Sequence, residues 1–309
     1  MSLISLVVPC FNEEETIFIF YNEVLKIAPQ IDADIEFRFV DDGSSDGTIK
    51  VLRELSKKDS RVHYVSFSRN FGKEAALLAG LESAKGDYVA TMDVDLQDPP
   101  SLLPEMWNDI KNPENDLDCI ATKRQDRKGE PPIRSFFANM FYRLINKISD
   151  TRIENGARDY RLMNRKFVDA VIADKEYNRF SKGIFSWVGF NVKWLAYDNI
   201  ERSGGQTKWS FWKLFKYSLE GFLGFSQVPL YISSVMGLSS CLIAVLALIF
   251  IVVRAAIFGD RARGWPSMAC IMIFIGGLIM LNLGIIGLYI SKIYLETKNR
   301  QHYIIRENA

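Results

Sequence analysis

Two carboxylates stand one residue apart in the run Met92-Asp93-Val94-Asp95-Leu96-Gln97-Asp98-Pro99-Pro100, directly after an apolar stretch at 88–92. If that stretch is a buried strand, the pair lies where the strand ends. An Asp-x-Asp at such an end suits a hard divalent cation that bridges phosphates, because Mg²⁺ takes one or two carboxylates and fills its remaining positions with water or phosphate oxygens. The expectation is a metal-held nucleotide-sugar.

Two further polar clusters follow apolar runs in the same way. Residues 4–8 run into Pro9-Cys10-Phe11-Asn12-Glu13, and residues 35–40 run into Asp41-Asp42-Gly43-Ser44-Ser45-Asp46-Gly47-Thr48. Taken singly, 41–48 reads equally well as a turn followed by a capped helix. Three acidic or amide-rich strand ends converging on one crevice favour a binding site.

Other chemistries lack their residues. His63 and His302 are the only histidines, which disfavours histidine catalysis, and the four cysteines show no C-x-x-C spacing for zinc or for a disulfide framework. A net charge of +1 lacks the basic excess of a general nucleic-acid binder, so no nucleic-acid partner is expected.

The elements that must position these residues alternate. Strand-like runs at 4–8, 35–40, 62–67, 88–92 and 119–122 are separated by helical patterns at 14–27, 48–57, 73–84 and 102–110. Such alternation predicts βαβ units and a mainly parallel sheet with helices on both faces, whose ligands bind outside the carboxyl ends of the strands.

Charge is concentrated before about residue 220. Beyond it, 230–253 is almost free of charge and 268–289 is equally apolar apart from Asn282, each longer than the roughly 20 residues that span a bilayer as a helix. Two transmembrane helices joined by a short loop predict an antiparallel hairpin with both termini on one side. No signal peptide precedes the first strand-like segment, so the N-terminal domain and both termini are expected to be cytoplasmic, at a multi-pass inner-membrane protein. The basic tail, with Lys292, Lys298, Arg300 and Arg306, agrees, and Arg261 and Arg263 in the opposite loop weaken the charge asymmetry.

Two amphipathic helices are predicted before the hairpin. The first, at 131–149, carries Arg134, Arg143 and Lys147 opposite an apolar face; the second, at 208–225, carries Lys213 and Lys216 among aromatic residues. Basic, aromatic-rich helices beside a membrane span suit the surface of an anionic leaflet, packing on the soluble core being the alternative. The resulting division is 1–130, a nucleotide-sugar and metal domain; 131–207, the first interface helix with, as the family likeness given next implies, a catalytic segment and a phosphate loop; 208–228, the second interface helix; 229–291, the hairpin; and 292–309, a tail.

Val7 to Glu13, Asp41 to Thr48, Arg69-Asn70-Phe71-Gly72-Lys73, Asp93 to Pro100 and Arg158-Asp159-Tyr160-Arg161-Leu162-Met163 together resemble glycosyltransferase family 2, in the branch that transfers a sugar to polyprenyl phosphate. The likeness is closest to bacterial bactoprenol (undecaprenyl-phosphate) glucosyltransferases and covers nearly the whole chain. It implies a GT-A fold, a UDP-glucose donor, Mg²⁺ or Mn²⁺, an undecaprenyl phosphate acceptor and inversion at the anomeric carbon, serving envelope or O-antigen (lipopolysaccharide) glycosylation. By motif position it places Pro9, Phe11, Glu13 and Asp42 around the nucleoside, and Asp93 and Asp95 on ribose and the metal-diphosphate, with Gln97 as a further metal ligand. Asp159 takes the position of the catalytic carboxylate. Arg202 and Lys208 match a loop that closes over phosphates, with Thr207 in place of the commoner Ser.

The acceptor limits what Asp159 must do. A phosphate monoester has a second pKa near 6 and is mostly ionised at neutral pH, so orienting it matters more than deprotonating it. Asp159 pairing structurally with Arg158 or Arg161 is the competing reading. Arg134, Arg143, Lys147, Lys213 and Lys216 are candidates to attract the acceptor headgroup and anionic lipid. Alternatives at the level of the whole protein are a mannose or aminoarabinose transferase using another donor, and a non-catalytic membrane scaffold. Self-association, a flippase and a downstream glycosyltransferase are the further partners considered.

Overall fold

The computed structural model describes residues 2–124, 146, 154–197, 226, 228–258 and 264–309. The predicted helices at 131–149 and 208–225, with Arg134, Arg143, Lys147, Lys213 and Lys216, and the loop bearing Arg202 and Lys208, lie outside the described residues apart from Asn146. The chain divides into two compact units, 1–221 with 300–309 and 222–299.

In the first unit the apolar runs form strands where expected: β1 (Leu3–Cys10), β2 (Asp34–Asp41), β3 (Val62–Phe67), β4 (Tyr88–Thr91) and β5 (Cys119–Arg124). Between them lie α1 (Ile17–Ile27), α2 (Thr48–Lys58), α3 (Lys73–Ser83) and α4 (Leu103–Ile110). Strands β6 (Ala157–Asn164) and β7 (Val192–Tyr197), with the helices α5 (Arg165–Ala173) and α6 (Ser181–Trp187) between them, extend the sheet beyond the predicted elements. The order is β7-β5-β6-β4-β1-β2-β3-β8, where β8 (Ile305–Asn308) comes from the tail. Neighbours β4-β1-β2-β3 are parallel, as are β5 and β7; β6 runs antiparallel to both β4 and β5.

Strand β1 is buried along most of its length because helices cover both faces of the central sheet, and Leu6, Val7 and Val8 have no exposed surface. Helix α3 reaches the sheet at Gly80, where a Cβ would stand 2.2 Å from Val7 Cγ1, so any side chain there collides with the central strand. From β1 the chain builds outward through β2 and β3, then returns to place β4 on the other side of β1. That reversal opens a crevice at the carboxyl ends of β1 and β4, the position where open α/β sheets bind ligands.

The tail is not a free end. Strand β8 pairs antiparallel with β3, Tyr64 and Ala309 exchange backbone hydrogen bonds of 3.1 and 3.0 Å, and Arg53 forms an ion pair with Glu307. Tyr303 stacks on Phe67 with ring centroids 4.8 Å apart. The edge of β3 is thereby covered, which removes an exposed pairing template.

The second unit contains α7 (Val228–Phe258) and α8 (Trp265–Thr297), with windows of mean hydropathy 2.5 and 2.4, both long and apolar enough to cross a membrane. Their apolar side chains face outward, Leu238 and Ile273 among them at 74% and 76% exposure, so these are not the helices of a soluble core. Asn282, the polar residue of the second apolar run, accepts the Ser233 hydroxyl from the partner helix and donates to the Leu278 carbonyl at 2.8 Å. Tyr289 Oη donates to the Ser226 carbonyl at 2.7 Å.

Candidate active site

The loops that end β1 and β2 are stitched together. Asn12 N–H donates to Ser44 Oγ at 2.9 Å, Ser45 N–H donates to Asn12 Oδ1 at 2.8 Å, and Glu13 N–H donates to Thr48 Oγ1 at 2.8 Å. Asn12 takes a left-handed backbone conformation to do so, φ 55°, which Asn tolerates better than most residues. Pro9 is the penultimate residue of β1, Phe11 is exposed just beyond the strand, and Glu13 Oε2 accepts from Thr16 Oγ1 at 2.7 Å. Those three residues stand at or just beyond the carboxyl end of β1.

Asp42, just past β2, is buried, and its carboxylate accepts the backbone N–H groups of Phe71 at 2.6 Å and Gly72 at 2.9 Å. Burial pushes its carboxyl up to about 6, against the opposing pull of those two N–H groups. Gly72 adopts φ +101°, a conformation that side-chain-bearing residues rarely take, and α3 begins at the next residue. Gly43 is equally constrained, at φ +66° with its missing Cβ facing the Arg69 carbonyl carbon at 2.3 Å. The β2 loop thus fixes the start of α3.

That start carries Lys73, whose ammonium bridges two carboxylates. Nζ lies 2.7 Å from Asp93 Oδ1, beyond the end of β4, and 2.5 Å from Asp159 Oδ2, on β6. Thr91 Oγ1 donates to the Asp159 backbone carbonyl, which ties β6 to the end of β4 beside the pair. Burial alone raises the Asp159 carboxyl, but Lys73, with Lys182 and Arg158 behind it, holds it well below the usual carboxylate range. The two carboxylates in turn hold the Lys73 ammonium above its ordinary value, outweighing the desolvation that opposes it. Glu74, next on α3, accepts the Ser181 N–H at 3.0 Å and anchors α6 to the same helix.

The competing arginine partners of Asp159 are engaged elsewhere. Arg158 Nε donates to Asp98 at 2.7 Å, and Tyr197 Oη donates to the same fully buried carboxylate. Arg161, 1% exposed, lies with its guanidinium 4.3 Å from the Phe185 ring centroid and 5.5 Å from that of Trp194. These three residues line a cavity of about 330 Å³ that does not include Asp93, Asp95 or Asp159 in its lining.

Asp95 Oδ1 accepts the Gln97 N–H at 3.2 Å, and Leu96 between them is left-handed at φ 57°, a conformation uncommon for a bulky residue and concentrated at functional loops. Gln97 Oε1 accepts from Arg124 at 2.9 Å and Arg158 at 3.3 Å. The oxygen that a metal-ligand role for Gln97 would use therefore faces two cations, as that of Asp93 faces Lys73. Among the described residues no cluster of three or more His, Cys, Asp or Glu side chains is built to hold an ion. A pair of carboxylates still fits Mg²⁺ or Mn²⁺ bound chiefly through a diphosphate, and a cation, the Lys73 ammonium, already stands against Asp93.

Lys73 lay within a motif noted in the sequence but carried no assigned role. Its signal was electrostatic: the first residue of a helix is the wrong end for a cation, because the macrodipole is positive there. Two carboxylates from other strands supply what the helix does not.

Residues 5–172 match the model for glycosyl transferase family 2, a span that includes Asp42, Lys73, Asp93, Asp95 and Asp159. The chain is 41% identical over 305 residues to a putative glycosyltransferase, CsbB, of Bacillus subtilis, covering 99% of this chain and 92% of that protein. It is 41% identical over 303 residues to a prophage bactoprenol glucosyl transferase homolog of Escherichia coli, covering 98% of both chains. Bactoprenol glucosyl transferase of Shigella phage SfX is likewise 41% identical over 303 residues, with 98% of both chains covered. Among solved structures, glucosyl-3-phosphoglycerate synthase from Mycobacterium tuberculosis, in complex with Mn²⁺, UDP-glucose and phosphoglyceric acid, is similar at TM-score 0.45 and 20% identity, over 71% of this chain and 76% of that one. With a family model spanning more than half of its residues and relatives that match end to end, the chain, a glycosyltransferase with a GT-A-like α/β domain, belongs to glycosyl transferase family 2.

Proposed function

We propose that the protein transfers glucose from UDP-glucose to undecaprenyl phosphate, with inversion, at the cytoplasmic face of a membrane crossed by α7 and α8. The observation that carries this reading is the Asp93–Lys73–Asp159 bridge at the β1/β4 crevice, which sets a metal-diphosphate carboxylate beside the carboxylate of the acceptor side. The names of the end-to-end relatives and the outward-facing apolar helices support the lipid acceptor.

The donor's nucleoside end is assigned to Pro9, Phe11 and Glu13, with Asp42 acting from below by setting the loop at 69–72. Asp93 and Asp95 are the residues that would hold Mg²⁺ or Mn²⁺, which when bound neutralises charge developing on the leaving diphosphate. Arg202 and Lys208 are assigned the same electrostatic task.

Asp159 does not serve as a strong base on this reading. Held ionised by Lys73, it has little affinity for a proton, and the acceptor phosphate, with a second pKa near 6, needs little deprotonation. Its task is to orient Lys73 and the attacking oxygen. Arg134, Arg143, Lys147, Lys213 and Lys216 are assigned to attract the acceptor headgroup and anionic lipid. The product, a lipid-linked hexose, supplies envelope or O-antigen glycosylation.

The test is incubation of membranes containing the protein with undecaprenyl phosphate and a panel of nucleotide-sugars, with and without EDTA, followed by identification of the lipid. Glucosyl lipid from UDP-glucose, lost with EDTA, is expected. A mannosyl or aminoarabinosyl product replaces the sugar assignment, and no lipid-linked product from any donor sinks the reading.

A further inference from the structure

The bridge between Asp93 and Asp159 contains a cation where the reaction calls for a different one. An ammonium has three N–H donors, and two of those on Lys73 are directed to Asp93 at 2.7 Å and Asp159 at 2.5 Å. The side chain is 41% exposed and springs from the first residue of α3, so its placement is set by the rigid Asp42-held loop and not by burial of its stem. Asp93 therefore shares a resident cation with Asp159 before any divalent ion arrives. Two carboxylates this close to one point would otherwise repel each other and form an attractive site for any free cation.

We propose that Lys73 is a resident counter-ion that holds the metal carboxylate Asp93 closed in the absence of donor, so that the divalent cation enters only together with a nucleoside diphosphate. To bind, the metal must displace the ammonium from Asp93, giving up an ion pair in exchange for a site that offers it only two carboxylates, Asp93 and Asp95. An incoming diphosphate brings the missing anions: it ligates the metal, and the released ammonium keeps Asp159 and reaches a phosphate oxygen with its freed donor. Metal and nucleotide then bind cooperatively, and linkage requires each to strengthen the other by the same factor. The benefit is that the crevice does not hold a bare metal ion able to bind acceptor phosphate before the donor. This inference rests on the metal-diphosphate part of the proposed function and is independent of the sugar and the lipid.

The test uses the full-length protein in detergent or nanodiscs, with Mn²⁺ binding read by electron paramagnetic resonance and UDP binding by calorimetry, without acceptor or turnover. Wild-type protein is expected to bind Mn²⁺ at least about tenfold more tightly with saturating UDP than without it. One unit charge a few ångströms away is enough for such an effect even at an effective protein dielectric of about 20. Lys73→Met is expected to bind Mn²⁺ roughly tenfold more tightly than wild type when UDP is absent, and to lose most of the UDP dependence. Lys73→Arg, which keeps the charge, is expected to retain weak Mn²⁺ binding without UDP, with thermal unfolding confirming that both variants are folded. Equal Mn²⁺ affinity with and without UDP in the wild type, unchanged or weaker affinity in Lys73→Met, or an Arg variant that behaves like Met overturns the proposal. A failed donor panel with these binding results intact would instead fault the assigned sugar or acceptor.

Discussion

Asp42 and Gly72 are joined by a carboxylate-to-backbone hydrogen bond of 2.9 Å, so the residue just past β2 determines where α3 starts and hence where Lys73 stands. Asp42→Asn replaces one acceptor oxygen with an amide that faces N–H groups. Misplacement of a reacting group by about 1 Å costs on the order of 100-fold, so a loss of 10- to 100-fold in kcat is expected, measured on the purified variant. There is also a pH signature. Because the folded carboxyl is raised to about 6 from its ordinary value of 3.8, the native state binds the extra proton between those values, and this group's contribution to stability falls as pH rises through that window. Relative to Asp42→Asn, the wild type is therefore expected to lose stability between pH 4 and 6.5, read by thermal unfolding across pH.

Asp159→Asn removes one of the two carboxylates on Lys73. Turnover is expected to fall at least about 100-fold, the usual scale for a positioned group in the transition state, with UDP affinity within a factor of about three. Since Lys73 keeps Asp159 ionised far below neutrality, the acid limb of the rate profile belongs to the acceptor phosphate, near pH 6. Residual activity of the Asn variant should keep the same acid limb. A limb that disappears with the substitution would return the role of base to Asp159.

Asp98 receives Arg158 and Tyr197 with no exposure of its own. Asp98→Asn strands a guanidinium whose side chain is only 20% exposed, and breaking a buried pair from one side costs about 3–5 kcal/mol. Tyr197→Phe removes one hydrogen bond and should cost about 1–2 kcal/mol. Denaturant unfolding in detergent separates the two, and equal losses would contradict the ranking.

The tail offers a local test of stability. Tyr303→Ala removes the stack on Phe67 together with a partly buried ring, a loss of about 1–3 kcal/mol, whereas Arg53→Ala breaks a partly exposed pair with Glu307 worth about 1 kcal/mol or less. Truncation after residue 299 strips β8 from β3, and the bared edge is expected to promote aggregation, visible by size-exclusion chromatography.

The half of the site that hangs on parallel strands was legible from the amino-acid sequence, because 4–8, 35–40 and 88–92 are uninterrupted apolar runs followed at once by carboxylates and amides. Burial on both faces writes itself into sequence as such a run. Strand β6 hides from the same logic: Ala157–Asn164 sets Arg158, Asp159 and Arg161 among its apolar residues, and Arg161, the residue that looks most solvent-seeking, is almost fully buried against Phe185 and Trp194. The bridge through Lys73 joins residues from three separate elements and leaves no local pattern. Gln97 was expected among metal ligands from its motif position, yet Arg124 and Arg158 occupy its oxygen, a contact between residues far apart in the chain. For β8, a short strand of mixed polarity carries no periodicity to read, and only its pairing with β3 defines it.

That last strand also imposes an order of manufacture. Its residues follow α8 in the chain, so a ribosome releases them only after both apolar helices have been made. Until then the edge of β3 stays unpaired and Phe67 lacks its aromatic cover. The unit that carries the candidate site therefore reaches its finished form only after both apolar helices have been made, and a nascent chain stalled before that point presents that unit with an open seam.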